Sequence, residues 1–285
     1  MAAGRQLPTL RAGGVPEHFN YIWHRDELHR GLTAEGLAVT WRDFPGGTGA
    51  MVEALTGNEL DLAPVLTEGA VAAIAKGAPL RVISTWVDTP LNWGVHVPLQ
   101  HDARSIADLR GEAFAISRWG SGSHLMAAVM AHERAWPELD FELVGDLEGA
   151  REAFSAGTAD AFLWEKFTTK HLVDAGEWRR VGIVPTPWPS FVMVASERAI
   201  AAQRARIEAL LRSLHAAFAA VTDPVARAFI ADRYKLLPED VAEWKAQTRW
   251  RCDWIAPAAA LEPAIEALLQ AGILESTPRA ESLCW

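Results

Sequence analysis

The chain has 285 residues, half of them hydrophobic and 22% charged, with a net charge of −9 at pH 7. An acidic balance with no lysine- or arginine-rich run argues against a nucleic-acid partner. No apolar run reaches the roughly 18 residues of a membrane-spanning helix, so direct membrane insertion is not expected either. The length suffices for two lobes with a core each. Of the two cysteines, Cys252 and Cys284, neither belongs to a Cys/His cluster, and the nine histidines form no HExxH-like pair. The expectation is therefore no metal site and no cofactor. Met1 to Pro16 lacks a charged start followed by a long apolar region, which reads as a cytoplasmic protein with reduced cysteines, or a periplasmic one if the sequence is trimmed.

In chain order, Leu7 to Val15 predicts a first strand and residues 17–30 a helix that stops at Gly31. Strand 37–44 follows, then the turn Pro45-Gly46-Gly47-Thr48-Gly49, with Thr48 expected to cap a helix through Leu55. Strand 60–66 ends at Thr67-Glu68-Gly69, and a helix over 70–76 leads to strand 80–87. This is βαβαβαβ, the pattern of a parallel sheet covered by helices. Residues 92–98 alternate apolar and polar and look extended. After Ser105 to Gly111 the pattern restarts: strand 113–117, helix 123–134, strand 141–145, helix 148–156, strand 160–164, strand 178–184. A strand at 191–195 follows the rigid segment Pro185 to Pro189. Beyond Ser196 only helices are expected, the first carrying the stripe Ile200, Ile207, Leu210, Leu211, Leu214, Phe218 and Val221. The others are expected over 224–234, 239–250 and 257–271.

The two halves rhyme. A helix-ending glycine, an aspartate, a strand and a glutamate recur as Gly57, Asp61, residues 62–66 and Glu68, then as Gly157, Asp160, residues 161–164 and Glu165. Two copies of one supersecondary unit imply two similar lobes. The expected fold is α/β, two βαβ lobes joined by two crossing strands near 92–98 and 190–196. Lobe 1 comprises 1–93 plus 195–285, with the C-terminal helices packed on it, and lobe 2 is the insertion 94–194.

Residues 111–133, GEAFAISRWGSGSHLMAAVMAHE, organise the rest. A strand, a Gly/Ser turn and a helix start aim free backbone N–H groups at one point, which suits a carboxylate, sulfonate or phosphate. The turn is neither GxGxxG nor GxxxxGK[ST], so no nucleotide fingerprint is present. The alternative is an ordinary βα turn, with glycine serving its backbone angles and serine its N-cap.

Three phrases carry a wider resemblance: Gly57 to Asp61 with Thr67-Glu68-Gly69, Ile106-Ala107-Asp108-Leu109-Arg110-Gly111, and the Ser117–His124 turn. Together they resemble the type II periplasmic-binding-protein fold over nearly the whole chain, in the group that binds alkanesulfonates, nitrate and thiamine-pyrimidine precursors. Arg118 to His124, Trp164 to His171 and Pro185 to Pro189 resemble a small cytosolic branch, found in fungi and bacteria, whose ligand is not settled. The resemblance implies a solute-binding protein that closes an interlobe cleft over a small polar or anionic, ring-bearing or zwitterionic ligand, and it allows a membrane permease as partner. It also implies an enzyme alternative. Two relatives of the fold do chemistry, a desulfinase with a cleft cysteine and a thiamine-pyrimidine synthase with a cysteine-rich segment; here Cys252 and Cys284 lie far from the expected strand ends, leaving His124 with Glu17, Glu68 or Glu165 as an acid/base set.

Ligands of open parallel sheets sit beyond the carboxyl ends of strands. That rule nominates Pro16, Glu17, Thr48, Thr67 and Glu68 from the first lobe, and Arg118, Ser121, Ser123, His124, Trp164, Glu165 and Lys166 from the second. Trp93 and Trp188 lie near the crossings. Ser121 and Ser123 would hold an oxyanion, and Trp93, Trp164 and Trp188 could stack on a flat ring or cation. Glu17, Glu68 and Glu165 complicate this picture, because three ionised carboxylates would repel an anion and suit an amine. In the alternative reading Glu165 pairs with Lys166 or Arg118, and Glu17 caps its own helix. His124, beside a helix N-terminus, is expected to be neutral.

Overall fold

A computed structural model describes residues 7–252 and 258–285. The first part of the chain runs β1 (Thr9–Gly14), α1 (Asp26–Ala34), β2 (Ala38–Asp43), α2 (Gly47–Thr56), β3 (Leu62–Leu66), α3 (Thr67–Ala75) and β4 (Leu80–Val87). Next come β5 (Asn92–Pro98), β6 (Ala113–Ile116), α4 (Gly122–Glu133), β7 (Asp140–Leu143), α5 (Leu147–Ala156), β8 (Ala161–Glu165), α6 (Lys170–Asp174) and β9 (Trp178–Pro185). β10 (Phe191–Ser196) leads into α7 (Glu197–Ala220), α8 (Asp223–Tyr234), α9 (Pro238–Gln247) and α10 (Glu262–Gln270). Among the described residues no helix is long and apolar enough to cross a membrane.

These elements form two compact units. The first comprises Met1–Thr89, Trp188–Glu262 and Pro278–Trp285, and the second Pro90–Pro187 and Pro263–Thr277. The first unit holds a sheet of order β2-β1-β3-β10-β4, the second a sheet of order β7-β6-β8-β5-β9. The two orders follow one plan. In the first, β1 runs parallel to β2 and β3, while β10 is antiparallel to β3 and β4. In the second, β6 runs parallel to β7 and β8, while β5 is antiparallel to β8 and β9. The extended segments at 92–98 and 191–196 are thus the antiparallel strand of each sheet. Strands β3 and β10 are covered on both faces, which is why they read as continuous apolar runs without alternation.

The rhyme in the sequence has a physical basis. Asp61, just before β3, exchanges bonds with the neighbouring strand: the Arg11 N–H donates to Asp61 Oδ2 at 2.9 Å, and the Asp61 N–H to the Arg11 carbonyl at 2.8 Å. Asp160, just before β8, repeats the exchange with Ala113 at 3.0 and 2.8 Å. In each unit an aspartate extends a parallel pairing by one side-chain bond.

Four local expectations are corrected. The helix expected over 17–30 is a 3-10 stretch, His18–His24, followed by α1, because Arg25 is extended (φ −103°, ψ 136°) and interrupts the helical run. α1 then passes through Gly31, and the chain turns at Gly36, whose φ of +69° suits glycine. α3 begins at Thr67 rather than 70, so Glu68 lies in its first turn, where the helix dipole favours a carboxylate. Finally, Pro263–Thr277 groups with the second unit, although the C-terminal helices were all expected on the first. The apolar face of α10, with Ala264, Ile265 and Leu268 buried, says only that the helix must be covered, not by what. The first residue of the helix expected from 257 lies outside the described residues.

α7 packs on α1 and buries Ile207, Leu210, Leu211 and Leu214, most of the predicted stripe. Tryptophans fill the first unit's core: Trp23 stacks on Trp41 at 4.8 Å and lies 5.7 Å from Trp86.

Candidate functional site

The nominated residues divide between the units. In the first, the candidates surround the end of β3. Thr48 does not cap α2, whose start has no side-chain cap. Its hydroxyl instead accepts the Leu66 N–H at 3.3 Å, and its methyl packs so closely on Gly69 that a β-carbon there would come within 2.5 Å. The Thr67 N–H donates to the Ser190 carbonyl at 3.1 Å, and its hydroxyl donates to the Pro189 carbonyl. Both threonines therefore join backbone segments. Glu17 stands at the N-cap position of the 3-10 stretch without making a capping bond. Pro16 beside it is exposed.

Glu68 is 3% exposed. Trp188 Nε1 donates to its Oε2 at 2.9 Å, and Oε1 has no partner. Burial, opposed by its own backbone N–H and by Trp188, pushes this carboxyl up to about 7. Trp188 is buried and held by this bond, which corrects its nomination as a stacking surface.

In the second unit the nominated turn assembles a compact polar group. β6 ends at Ile116, and α4 begins at Gly122 with Ser121 as its N-cap. Ser121 Oγ accepts the His124 N–H at 3.4 Å. Ser123 Oγ accepts the Ser117 N–H at 3.0 Å and lies 3.0 Å from Ser121 Oγ and 3.4 Å from Ser117 Oγ. Three hydroxyl protons serve two oxygen–oxygen contacts, so one points out of the trio. The N–H groups of Gly122 and Ser123, in the first turn of α4, donate to nothing among the described residues. Gly120 takes φ +76°, a left-handed conformation that suits glycine, and its N–H donates to His124 Nδ1 at 3.1 Å.

That bond fixes the imidazole tautomer: with Nδ1 accepting, the neutral ring carries its proton on Nε2. Burial lowers the histidine below its ordinary value, which keeps it neutral. Arg118 is exposed, and among the described residues its guanidinium forms no ion pair. Donors thus cluster here, on a turn that also carries Arg118. Ser121 does cap the helix, as the ordinary reading holds, but capping leaves the remaining donors unused.

Glu165 does not join this group. Its Oε2 accepts the N–H groups of Phe167 and Thr168 at 2.9 and 2.7 Å and the Thr168 hydroxyl at 2.9 Å, closing its own turn. Burial nevertheless raises its pKa. Its pairing with Arg118 is not formed. Lys166 Nζ lies 4.5 Å from the Phe167 ring centre. Trp93 is buried, and the half-buried Trp164 stacks on Phe162 at 5.2 Å and packs against the second unit's core. The acid/base alternative is not assembled within this unit, since no contact among the described residues joins His124 to Glu165. In the first unit Cys284 has its thiol pushed up to about 11 by burial and by Glu281, the opposite of an activated nucleophile.

Two features escaped the sequence. Ser117 completes the hydroxyl trio, and only the return of the α4 start onto the end of β6 shows it. His101, Glu112 and Asp160 bring ligand atoms within 4.8 Å of one another from distant positions. The Ala103 N–H, however, donates to His101 Nδ1 at 3.1 Å, which places the neutral ring's proton on Nε2, the nitrogen that faces Asp160 at 3.7 Å. A metal would need that lone pair, so the donor set does not suit one.

Comparison with known proteins bears on the whole architecture. A family model for Ca3427-like periplasmic binding proteins matches residues 93–184. The structure of the Candida albicans CA3427 gene product, described as having the generic periplasmic binding protein fold, is 26% identical, with a TM-score of 0.87 over 98% of this chain and 96% of that one. The alkanesulfonate-binding protein SsuA from Xanthomonas axonopodis pv. citri, bound to MOPS, is 19% identical, with a TM-score of 0.79 over 99% of each chain. PhnD1 from Prochlorococcus marinus, in complex with methylphosphonate, is 14% identical, with a TM-score of 0.63 over 93% of this chain and 99% of that one. The search of curated proteins gives no match. With two sheets of one plan and these structural relatives, the chain has the type II periplasmic-binding-protein fold, with alkanesulfonate-binding proteins among its relatives.

Proposed function

We propose that this protein binds a small solute through an anionic oxygen group, such as sulfonate, phosphonate or carboxylate, held at the Ser117–His124 turn. The observation that carries this reading is the donor count. The first-turn N–H groups of Gly122 and Ser123, one serine hydroxyl, His124 Nε2–H and the unpaired Arg118 offer hydrogen-bond donors with no acceptor among them. The α4 N-terminus adds a field that favours negative charge by about 0.3–1 kcal/mol. Two of the three carboxylates that complicated the sequence reading do not oppose it: Glu165 is bonded within its own turn, and burial of Glu68 favours its neutral form. The sulfonate- and phosphonate-bound relatives support the same ligand chemistry. A transport permease is the partner this reading suggests.

Calorimetry and thermal-shift titration test it, with methanesulfonate, methylphosphonate and acetate as probes and methylammonium as the control cation. At least one anion should bind and raise the Tm, and methylammonium should not. Ser123→Ala should weaken that anion by about tenfold, the value of a hydrogen bond to a charged group. Failure of every anion to bind would overturn the proposal.

A further inference from the structure

The turn that offers the donors also carries the most exposed large apolar side chain described, Trp119, at 61%. Its indole is held edge-on by two neighbours: the His124 ring at 5.0 Å and the Phe141 ring at 5.6 Å, both at 86°. His124 and Phe141 meet at 4.9 Å and 84°, closing a triad of perpendicular rings. Such perpendicular contacts fix the indole's plane while most of the side chain stays exposed. The stacking surfaces nominated from sequence, Trp93 and Trp188, are buried in packing, and Trp164 is engaged with Phe162.

We infer that Trp119 is a specificity-determining residue, an aromatic shelf that reads the group attached to the anion, so that the site prefers an anion carried on a flat ring to the same anion on a methyl group. This inference rests on the anion-binding reading above and narrows it to aryl-type sulfonates, phosphonates or carboxylates. His124 links the two functions. Its Nε2–H serves the anion while its ring orients the indole. Phe141, on the edge strand β7, supplies the second wall and ties the shelf to the sheet. A stacked ring contributes a few-fold to about tenfold in affinity.

The test is the ratio of affinities for benzenesulfonate and methanesulfonate, measured by calorimetry on the full chain. Benzenesulfonate should bind about tenfold more tightly, Trp119→Ala should bring the ratio close to one, and Trp119→Phe should restore part of it. Trp119 is exposed, so both variants should fold, which circular dichroism checks. If both sulfonates bind but the ratio is one in the wild type, or survives Trp119→Ala, the shelf is wrong and the anion site stands. If neither sulfonate binds, the same ratio is read for phenylphosphonate against methylphosphonate and for benzoate against acetate; if none of these anions binds, the anion site fails and the shelf falls with it.

Discussion

The two units are built from one plan and end it differently. Each has an aspartate that pairs with the neighbouring parallel strand, Asp61 with Arg11 of β1 and Asp160 with Ala113 of β6. Each places a glutamate where the following strand ends. In the second unit Glu165 is satisfied by three donors of its own turn; in the first, Glu68 is buried with one oxygen unbonded. The same sequence phrase therefore yields a structural cap in one unit and a strained carboxyl in the other. The lesson is that repeated grammar fixes the scaffold, while the polar balance of each strand end is set by the few residues that follow it.

Substitutions can break this comparison, beginning with the aspartates. Asp61 is buried and also meets the Arg11 and Arg198 guanidiniums at 2.8 and 3.1 Å. Asp160 is part-exposed and meets the Ala113 N–H at 3.0 Å and a histidine at 3.7 Å, with no arginine bonded to it among the described residues. Asp61→Ala should cost about 3 kcal/mol and Asp160→Ala about 1 kcal/mol in denaturant unfolding. Equal losses would mean that the two devices are equivalent.

The glutamates should respond differently to replacement by glutamine. Glu68 keeps its proton in the folded state until about pH 7, whereas the unfolded chain loses it near 4.5. Stability is then unaffected by this group below pH 4.5, falls as the pH rises toward 7, and levels off above. The decline amounts to about 3 kcal/mol and should vanish in Glu68→Gln, which is therefore the more stable protein at pH 8. Glu165→Gln should instead destabilise by about 1–2 kcal/mol at neutral pH, because it weakens three accepted bonds. The smallest effect is on His124. Imidazole NMR should show Nδ1 unprotonated, Nε2 carrying the proton, and a titration below the ordinary histidine range; a titration above it would contradict the Gly120 bond.

Much of the scaffold was legible from residues alone. Parallel strands buried on both faces leave continuous apolar runs, and the glycines and aspartates that punctuate them recur in both halves. The restart after Gly111 and the extended segment 92–98 were readable for that reason. The site was legible only in part. Ser121, Ser123 and His124 could be nominated because a Gly/Ser turn between strand and helix leaves first-turn N–H groups without intrahelical partners. The bond of Thr48 to the Leu66 N–H and the burial of Trp93 and Trp188 could not be read, because strand-end position does not say whether a side chain faces solvent or a neighbouring backbone. The value of Trp119 depends on the ring walls of His124 and Phe141, one of which comes from another strand. The reversal at Glu68 depends on its burial in the folded chain, which outweighs the bond from Trp188.

The central claim is that the start of α4 holds an anion, and backbone amide NMR during titration with methanesulfonate tests it most directly. The account predicts that the Gly122 and Ser123 amides, with His124 Nε2–H, show the largest saturable shifts. Saturable shifts elsewhere with these three unmoved, or no saturable shift at all, would contradict it.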